Sequence, residues 1–284
     1  MISKVVRKSF KIRPSGRSTD FISPSFGHGC LYNCSYCYMK RHKAKGLSIA
    51  TNTGDILTEI NNHAYFTPVD KPNQTHKSFT TYDISCNEDF ALHAKYHDWK
   101  RIFKFFKDHP IAMGSFATKY VNPDLTTFDP EGKIRVRFSL MPQHMADIHE
   151  PKTSKIIDRI QAIDAFIDAG YDVHVNFSPV IVYNGWLKDY EFLFNMMNDY
   201  IEYKDEVLAE VIFLTHNFKK HTVNLVHHPD TELTLWTPEI QETKVSQYGG
   251  ENVRYKHVLK REYINEFKKV HNDIIPWNTI RYIF

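Results

Sequence analysis

The sequence predicts an α/β fold: a partial (β/α)6 TIM-like barrel carrying a C-terminal β-hairpin and helix extension. Three observations predict it. Six short segments rich in β-branched and aromatic residues recur between residues 21 and 215. Helix-patterned or loop segments separate most of them; strands joined by such crossovers pair in parallel, and right-handed crossovers curl the sheet into a full or partial barrel. Beyond residue 220 the pattern changes to polar–apolar alternation around paired glycines.

The strand segments are 21–25, 78–85, 111–118, 134–141, 171–181 and 211–215. A helix over 52–64 opens with Asn52-Thr-Gly-Asp55, residues suited to capping. The next, 92–107, places Trp99, Ile102, Phe103 and Phe106 near helical spacing and stops before Pro110. The third, 153–169, repeats Ile156, Ile157, Ile160, Ile163, Phe166 and Ile167, and ends at Gly170, a good residue just past a helix. A fourth covers 187–203, and 120–133 reads as loop. Residues 231–237 alternate like an antiparallel strand. Residues 245–248 and 253–255, with Gly249-Gly250-Glu251-Asn252 between them, read as a hairpin. A helix over 258–271 and a strand over 279–284 close the chain. Phe103, Phe105, Phe106, Phe192 and Phe194 are expected in the core. The organisation expected is a basic N-terminal arm, 1–20, the barrel, 21–220, and the extension, 221–284.

Hydrophobic residues make up 42% and charged residues 24% of the 284, so the chain can build an ordinary globular core. No apolar run approaches the roughly 18 residues of a membrane span, and the charged N-terminus lacks the apolar stretch of a secretory signal. A cytoplasmic protein with no membrane partner is expected. Four cysteines in such a chain do not suggest a disulfide framework. The net charge of +3 is too small to imply nucleic acid, but its distribution is uneven. Lys4, Arg7, Lys8, Lys11, Arg13 and Arg17 form one basic cluster, Lys40, Arg41, His42, Lys43 and Lys45 a second, and Arg254, Lys256, Lys260 and Arg261 a third. They make either a phosphate-binding face or solvated surface.

The strongest chemical signal is Cys30-Leu-Tyr-Asn-Cys34-Ser-Tyr-Cys37, just after the first strand segment. In a barrel this is the rim where active sites gather. Gly27 and Gly29 let the backbone wrap tightly there. Thiolates at this spacing select an iron–sulfur cluster or zinc. Zinc wants four protein ligands, with Cys86 or a histidine as the fourth; a four-iron cube held by three cysteines keeps one iron open. Unligated thiols are the remaining reading. None of the 16 histidines forms an HExxH pattern.

The triplet resembles the signature of the radical S-adenosylmethionine enzymes. PSFGHGCLYNCSYCYMK at 24–40 is similar to the cluster loop of the spore photoproduct lyases, with Tyr36 and Tyr38 flanking the third cysteine. TKY at 118–120, the stretch 134–186 and QYGGENVRYK at 247–256 resemble the same family. The resemblance implies a [4Fe–4S] cluster on Cys30, Cys34 and Cys37, with its open iron binding the amino and carboxylate groups of S-adenosyl-L-methionine. An electron then cleaves that cofactor to a 5′-deoxyadenosyl radical. The radical takes hydrogen from C6 of a methyl-bridged thymine dimer in DNA and the bridge breaks. Cys86, in Cys86-Asn-Glu-Asp89, returns a hydrogen atom to the product radical, with Tyr36 as relay. Tyr38, Lys119 and Ser139 are implied cofactor contacts, and an electron donor such as flavodoxin or ferredoxin is an implied partner.

Glu150 and Arg159 read either as an ion pair at a helix start or as a ribose contact, and Pro179 would shape the adenine pocket. Tyr248, Arg254, Tyr255 and Lys256 would hold DNA through an aromatic and basic hairpin; the plain alternative is an edge hairpin protected by charges. The chain departs from the family in two places. Asn87 and Glu88 stand where small hydroxyl residues are expected, and only 29 residues precede Cys30. Radical modification of another nucleobase, nucleotide or RNA, and a non-catalytic zinc or iron–sulfur nucleic-acid-binding protein, are the competing functions.

Overall fold

The computed structural model describes residues 2–37, 39, 46–66, 70–245 and 249–284. The strands are β1 Ile2–Val5, β2 Arg13–Pro14, β3 Phe21–Ile22, β4 Gly27–His28, β5 Leu47–Ala50, β6 Thr80–Asp83, β7 Ala112–Thr118, β8 Ile134–Ser139, β9 Asp172–Val180, β10 Leu208–Phe213, β11 Thr215–Asn217, β12 Gln241–Val245, β13 Glu251–Tyr255 and β14 Ile280–Ile283. The helices are α1 Thr53–Phe66, α2 Phe90–His93, α3 Trp99–Asp108, α4 Gln143–His149, α5 Ile156–Asp168, α6 Trp186–Tyr200, α7 Phe218–His227, α8 Pro229–Leu233 and α9 His257–Ile274. None of the described helices is long and apolar enough to cross a membrane.

One eight-stranded sheet runs β14-β10-β9-β8-β7-β6-β3-β2. Its consecutive members β3, β6, β7, β8, β9 and β10 are the six strands expected of the partial barrel. Parallel pairs set the register: Phe21 opposite Tyr82, Thr80 opposite Ala112, and Thr118 opposite Phe138. The chain divides into two compact units.

The first unit is Met1–Leu31, Ala44–Ser139 and Gln161–Val175. Its core is aromatic. Phe90, Phe103 and Phe116 are buried, with ring centroids 5.4–6.0 Å apart. The N-terminal residues are part of this unit: β1 pairs in parallel with β5, and β2 pairs with β3. Arg7, one of the basic cluster, donates to the carbonyls of Ser25 and Ser48. The helix expected over 92–107 is broken into α2, a short 3-10 turn at Ala94–Tyr96, and α3. Asp98 marks the break, because its side chain caps a new helix start at α3, while Asp89 caps α2. The loop expected over 120–133 contains a 3-10 turn, Pro123–Thr127, opened by Asn122.

The second unit is Tyr32–Lys43, Leu140–Ile160 and Asn176–Phe284. α6 and α9 bury Tyr190, Phe194 and Phe267 with Phe177, at centroid distances of 5.2–6.3 Å. β14 pairs in parallel with β10 and extends the sheet. The hairpin is present: β12 pairs antiparallel with β13, Val245 of the expected first arm ends β12, and the rest of that arm, 246–248, lies outside the described residues. The strand expected over 231–237 is absent. Pro229 starts α8, and Glu232 turns inward to accept from His221 and Asn224, so a hydrogen-bonded helix end replaces the alternation.

Candidate functional site

The chain leaves β4 at His28 and returns on its antiparallel neighbour β5 at Leu47. The three cysteines therefore lie on a loop whose ends are held on adjacent strands. Gly29 has φ +102°, and a β-carbon there would meet the Gly46 carbonyl at 2.2 Å, so only glycine fits. The Gly29 N–H donates to the Asn87 carbonyl at 3.0 Å, and the Leu31 N–H donates to His93 Nε2 at 3.3 Å.

The later part of the loop belongs to the second unit. The Cys37 N–H closes a turn on the Cys34 carbonyl. Ser35 donates its N–H to the His149 carbonyl, and its hydroxyl meets His149 Nδ1 at 2.7 Å. The other ring nitrogen of His149 meets the Thr234 hydroxyl at 3.1 Å. Burial holds the His149 imidazole down to about 4. The Tyr36 hydroxyl donates to Glu150, and Arg159 pairs with the other Glu150 oxygen at 3.0 Å. Burial first, and then the Glu150 charge, push the Tyr36 phenol well above its ordinary value. Glu150 and Arg159 thus form a buried ion pair.

Cys86 lies in the turn after β6. The turn is fixed from both sides within the first unit. Asp83 accepts from the Ser85 N–H at 2.8 Å and from Arg137 at 2.8 Å. Asp89 caps α2, accepts the Thr118 hydroxyl at 2.7 Å and accepts the Lys119 N–H at 2.8 Å. Lys119 directly follows β7, and its ammonium donates to the hydroxyl of Ser139, the last residue of β8, at 3.5 Å. The fold thus brings together the turn bearing Cys86, the start of the cysteine loop, Lys119 and Ser139. Sequence reasoning missed Arg137, Asp83 and His149 as supports. Their only sequence signal was a charged or titratable residue inside an apolar strand or helix pattern.

Tyr255 requires a correction. It is 0% exposed, packs on Trp236 and Phe213, and its hydroxyl accepts from the Val182 N–H at 2.8 Å. It is a buried core residue, not part of the hairpin's exposed surface. Its sequence neighbours differ: Arg254 on β13 pairs with Glu242 at 2.6 Å, and Lys256, just before α9, is exposed. Tyr38 and Tyr248, with the basic run 40–45, lie outside the described residues.

Among the described residues no three Cys, His, Asp or Glu side chains converge as a metal site. The donor set itself fits an iron–sulfur cluster. Three thiols, none in a disulfide, sit on one loop closed at both ends by β4 and β5, and soft thiolates are the ligands of such clusters.

The sequence profile of the spore photoproduct lyase family matches residues 2–284. A spore photoproduct lyase of Bacillus subtilis is 27% identical over 277 residues, covering 92% of this chain and 78% of the relative. The fold is similar to that of a spore photoproduct lyase complexed with dinucleoside spore photoproduct, with a TM-score of 0.88 and 22% identity over 100% of this chain and 82% of the other. It is also similar to a double mutant of such a lyase with bound AdoMet and dinucleoside spore photoproduct, with a TM-score of 0.87 and 21% identity over the same shares. These likenesses agree with the α/β partial barrel read from the sequence. With the profile covering the described fold from β1 to β14, the chain belongs to the spore photoproduct lyase family.

Proposed function

We propose that the chain is a radical S-adenosylmethionine lyase that reverses the spore photoproduct, a methyl-bridged thymine dimer in DNA. The observation that carries this reading is the Cys86 turn, tied through Asp89 to the strand end that presents Lys119 to Ser139. Cys30, Cys34 and Cys37 would hold a [4Fe–4S] cluster, which with bound S-adenosyl-L-methionine supplies a 5′-deoxyadenosyl radical. The Lys119 ammonium suits the methionine carboxylate of that cofactor, and the Ser139 hydroxyl suits its amino acid backbone. Cys86 serves as hydrogen-atom donor to the product radical, because its S–H bond is weak and its turn is held without being a cluster ligand. Tyr36 relays or restores that hydrogen, and Glu150 fixes the direction of its hydroxyl.

Lys256, with Arg254 beside it, holds the DNA phosphates. Tyr38 as a cofactor contact and Tyr248 as a DNA contact belong to the same reading. So do the division into arm, barrel and extension, a flavodoxin or ferredoxin as electron donor, and a cytoplasmic location. The test is anaerobic reconstitution with iron and sulfide. S-adenosylmethionine cleavage is measured first without substrate, then with the dinucleoside lesion. Brown protein that cleaves the cofactor and restores two intact thymine nucleosides from the lesion supports the reading. Cofactor cleavage without repair of the lesion moves the substrate to another nucleobase, and colourless zinc-loaded protein overturns the radical chemistry.

A further inference from the structure

Glu88 is the charged residue that interrupts the Cys86–Asp89 turn. Its side chain is 0% exposed and points into the first unit, away from solvent. Oε2 lies 3.0 Å from His93 Nδ1 and 2.9 Å from His97 Nε2. The tautomer of His93 follows from its other nitrogen. Because Nε2 accepts the Leu31 N–H, Nδ1 carries the hydrogen and donates it to Glu88. His97, stacked on Phe90 at 5.0 Å, donates from Nε2. Burial opposes the charge, yet the two histidine hydrogen bonds outweigh it and hold the Glu88 carboxyl below its ordinary value. Glu88 is therefore an anion, and the Arg7 guanidinium lies close enough to feel its charge.

The carboxylate also fills the space beside Gly27. A β-carbon on Gly27 would meet Glu88 Oε2 at 2.2 Å. Three links thus run between the turn carrying Cys86 and the start of the cysteine loop. They are Asn87 carbonyl to Gly29, Glu88 through His93 to Leu31, and Glu88 against Gly27. Cys30 lies between Gly29 and Leu31, so it is held on both sides.

We propose that Glu88 is a positioning residue that clamps the Cys30 end of the cysteine loop to the turn bearing Cys86. The roles this serves, ligand and hydrogen donor, rest on the function proposed above; the clamp itself is testable without them. An uncharged partner at position 88 keeps the space but lacks the charge that strengthens both histidine hydrogen bonds. A small hydroxyl residue there keeps neither.

The test is peptide-resolved alkylation of the full chain before cluster loading, with Glu88→Gln, Glu88→Ser, Gly27→Ala and the double variant Gly27→Ala/Glu88→Ser. In both Glu88 variants, alkylation of Cys30 and of Cys86 is expected to accelerate together, at least threefold, while Cys37 changes less than twofold. Gly27→Ala is expected to do the same, because its methyl collides with the carboxylate. In the Glu88→Ser background the Gly27 change is expected to add nothing. Equal acceleration at all three cysteines would mean general loosening and overturn the clamp. Acceleration at Cys86 alone, or additive effects of the two substitutions, would overturn it as well. In the loaded enzyme, Glu88→Gln is expected to keep cofactor cleavage and raise the ratio of adduct to thymine at least threefold. If wild-type enzyme does not restore thymine from the lesion, the proposed substrate fails, whereas the alkylation pattern still judges Glu88.

Discussion

Tyr36 donates its hydroxyl hydrogen to Glu150, and Glu150 in turn holds Arg159 at 3.0 Å, with the Glu150 and Arg159 side chains at most 1% exposed. The tyrosine that flanks the third cysteine is thereby hydrogen-bonded to a buried ion pair. Burying two charges is unfavourable unless their remaining groups are satisfied. Here Thr153 and the Ser154 carbonyl occupy further Arg159 donors, and Tyr36 occupies the second Glu150 oxygen.

Removing one partner exposes that dependence. Glu150→Gln leaves Arg159 charged and buried, so a loss of about 3–5 kcal/mol is expected. Tyr36→Phe removes one hydrogen bond and keeps the pair, for a loss of about 1 kcal/mol. Urea denaturation of both variants measures the contrast. If Tyr36 relays hydrogen, Tyr36→Phe also keeps the first turnover and slows those that follow, which single- and multiple-turnover assays separate.

Cys86→Ala tests the donor role. The variant is expected to keep its iron and its cofactor cleavage, because Cys86 is not one of the three loop cysteines. The product radical then lacks its quencher, and adducts with reductant or solvent additives replace thymine. The stability loss is about 1–2 kcal/mol, since only a small sulfur-bearing side chain is removed. Unchanged thymine yield by product chromatography would remove the donor assignment.

Lys119→Ala is expected to weaken S-adenosylmethionine binding about tenfold, the loss of one charge-assisted contact. The reconstituted enzyme should keep its visible absorption. Equilibrium binding of the cofactor checks the first outcome and the spectrum checks the second.

Acid should loosen the second half of the cysteine loop. The folded imidazole of His149 is depressed to about 4 by burial, from 6.5. A depressed folded value means the stability is fully present above about pH 6.5. It is lost progressively as pH falls toward 4, amounting to roughly 3 kcal/mol. His149→Gln should flatten that loss in denaturation curves taken at pH 7 and pH 4.5.

Tyr255 and Lys256 are adjacent and should behave oppositely. Tyr255→Phe loses the bond to the Val182 N–H and about 1 kcal/mol of stability, without altering DNA affinity. Lys256→Glu is expected to weaken DNA binding at all sequences and to reduce its salt dependence, with stability unchanged. Filter binding across a salt series distinguishes the two.

The sequence by itself determined the parts that depend on local spacing. The triplet Cys30, Cys34 and Cys37 marks its loop because ligand spacing is a one-dimensional property. The helical repeat of Ile156, Ile160, Ile163 and Phe166 announces α5, and the six strands appear in their expected order, because periodicity belongs to the segment itself. Only the tertiary structure decided the rest. Strand ends follow their partners, so β3 is just two residues where five were expected. Alternation at 231–237 looked like a strand until Glu232 found buried histidine and asparagine donors in α7. In the sequence Tyr255 reads as a DNA-contacting hairpin residue, and Glu88 as a departure from the family pattern. One is sealed by Trp236 and Phe213, the other by His93, His97 and Gly27. Burial and charge compensation are set by neighbours distant in sequence, and a local pattern carries no information about those neighbours.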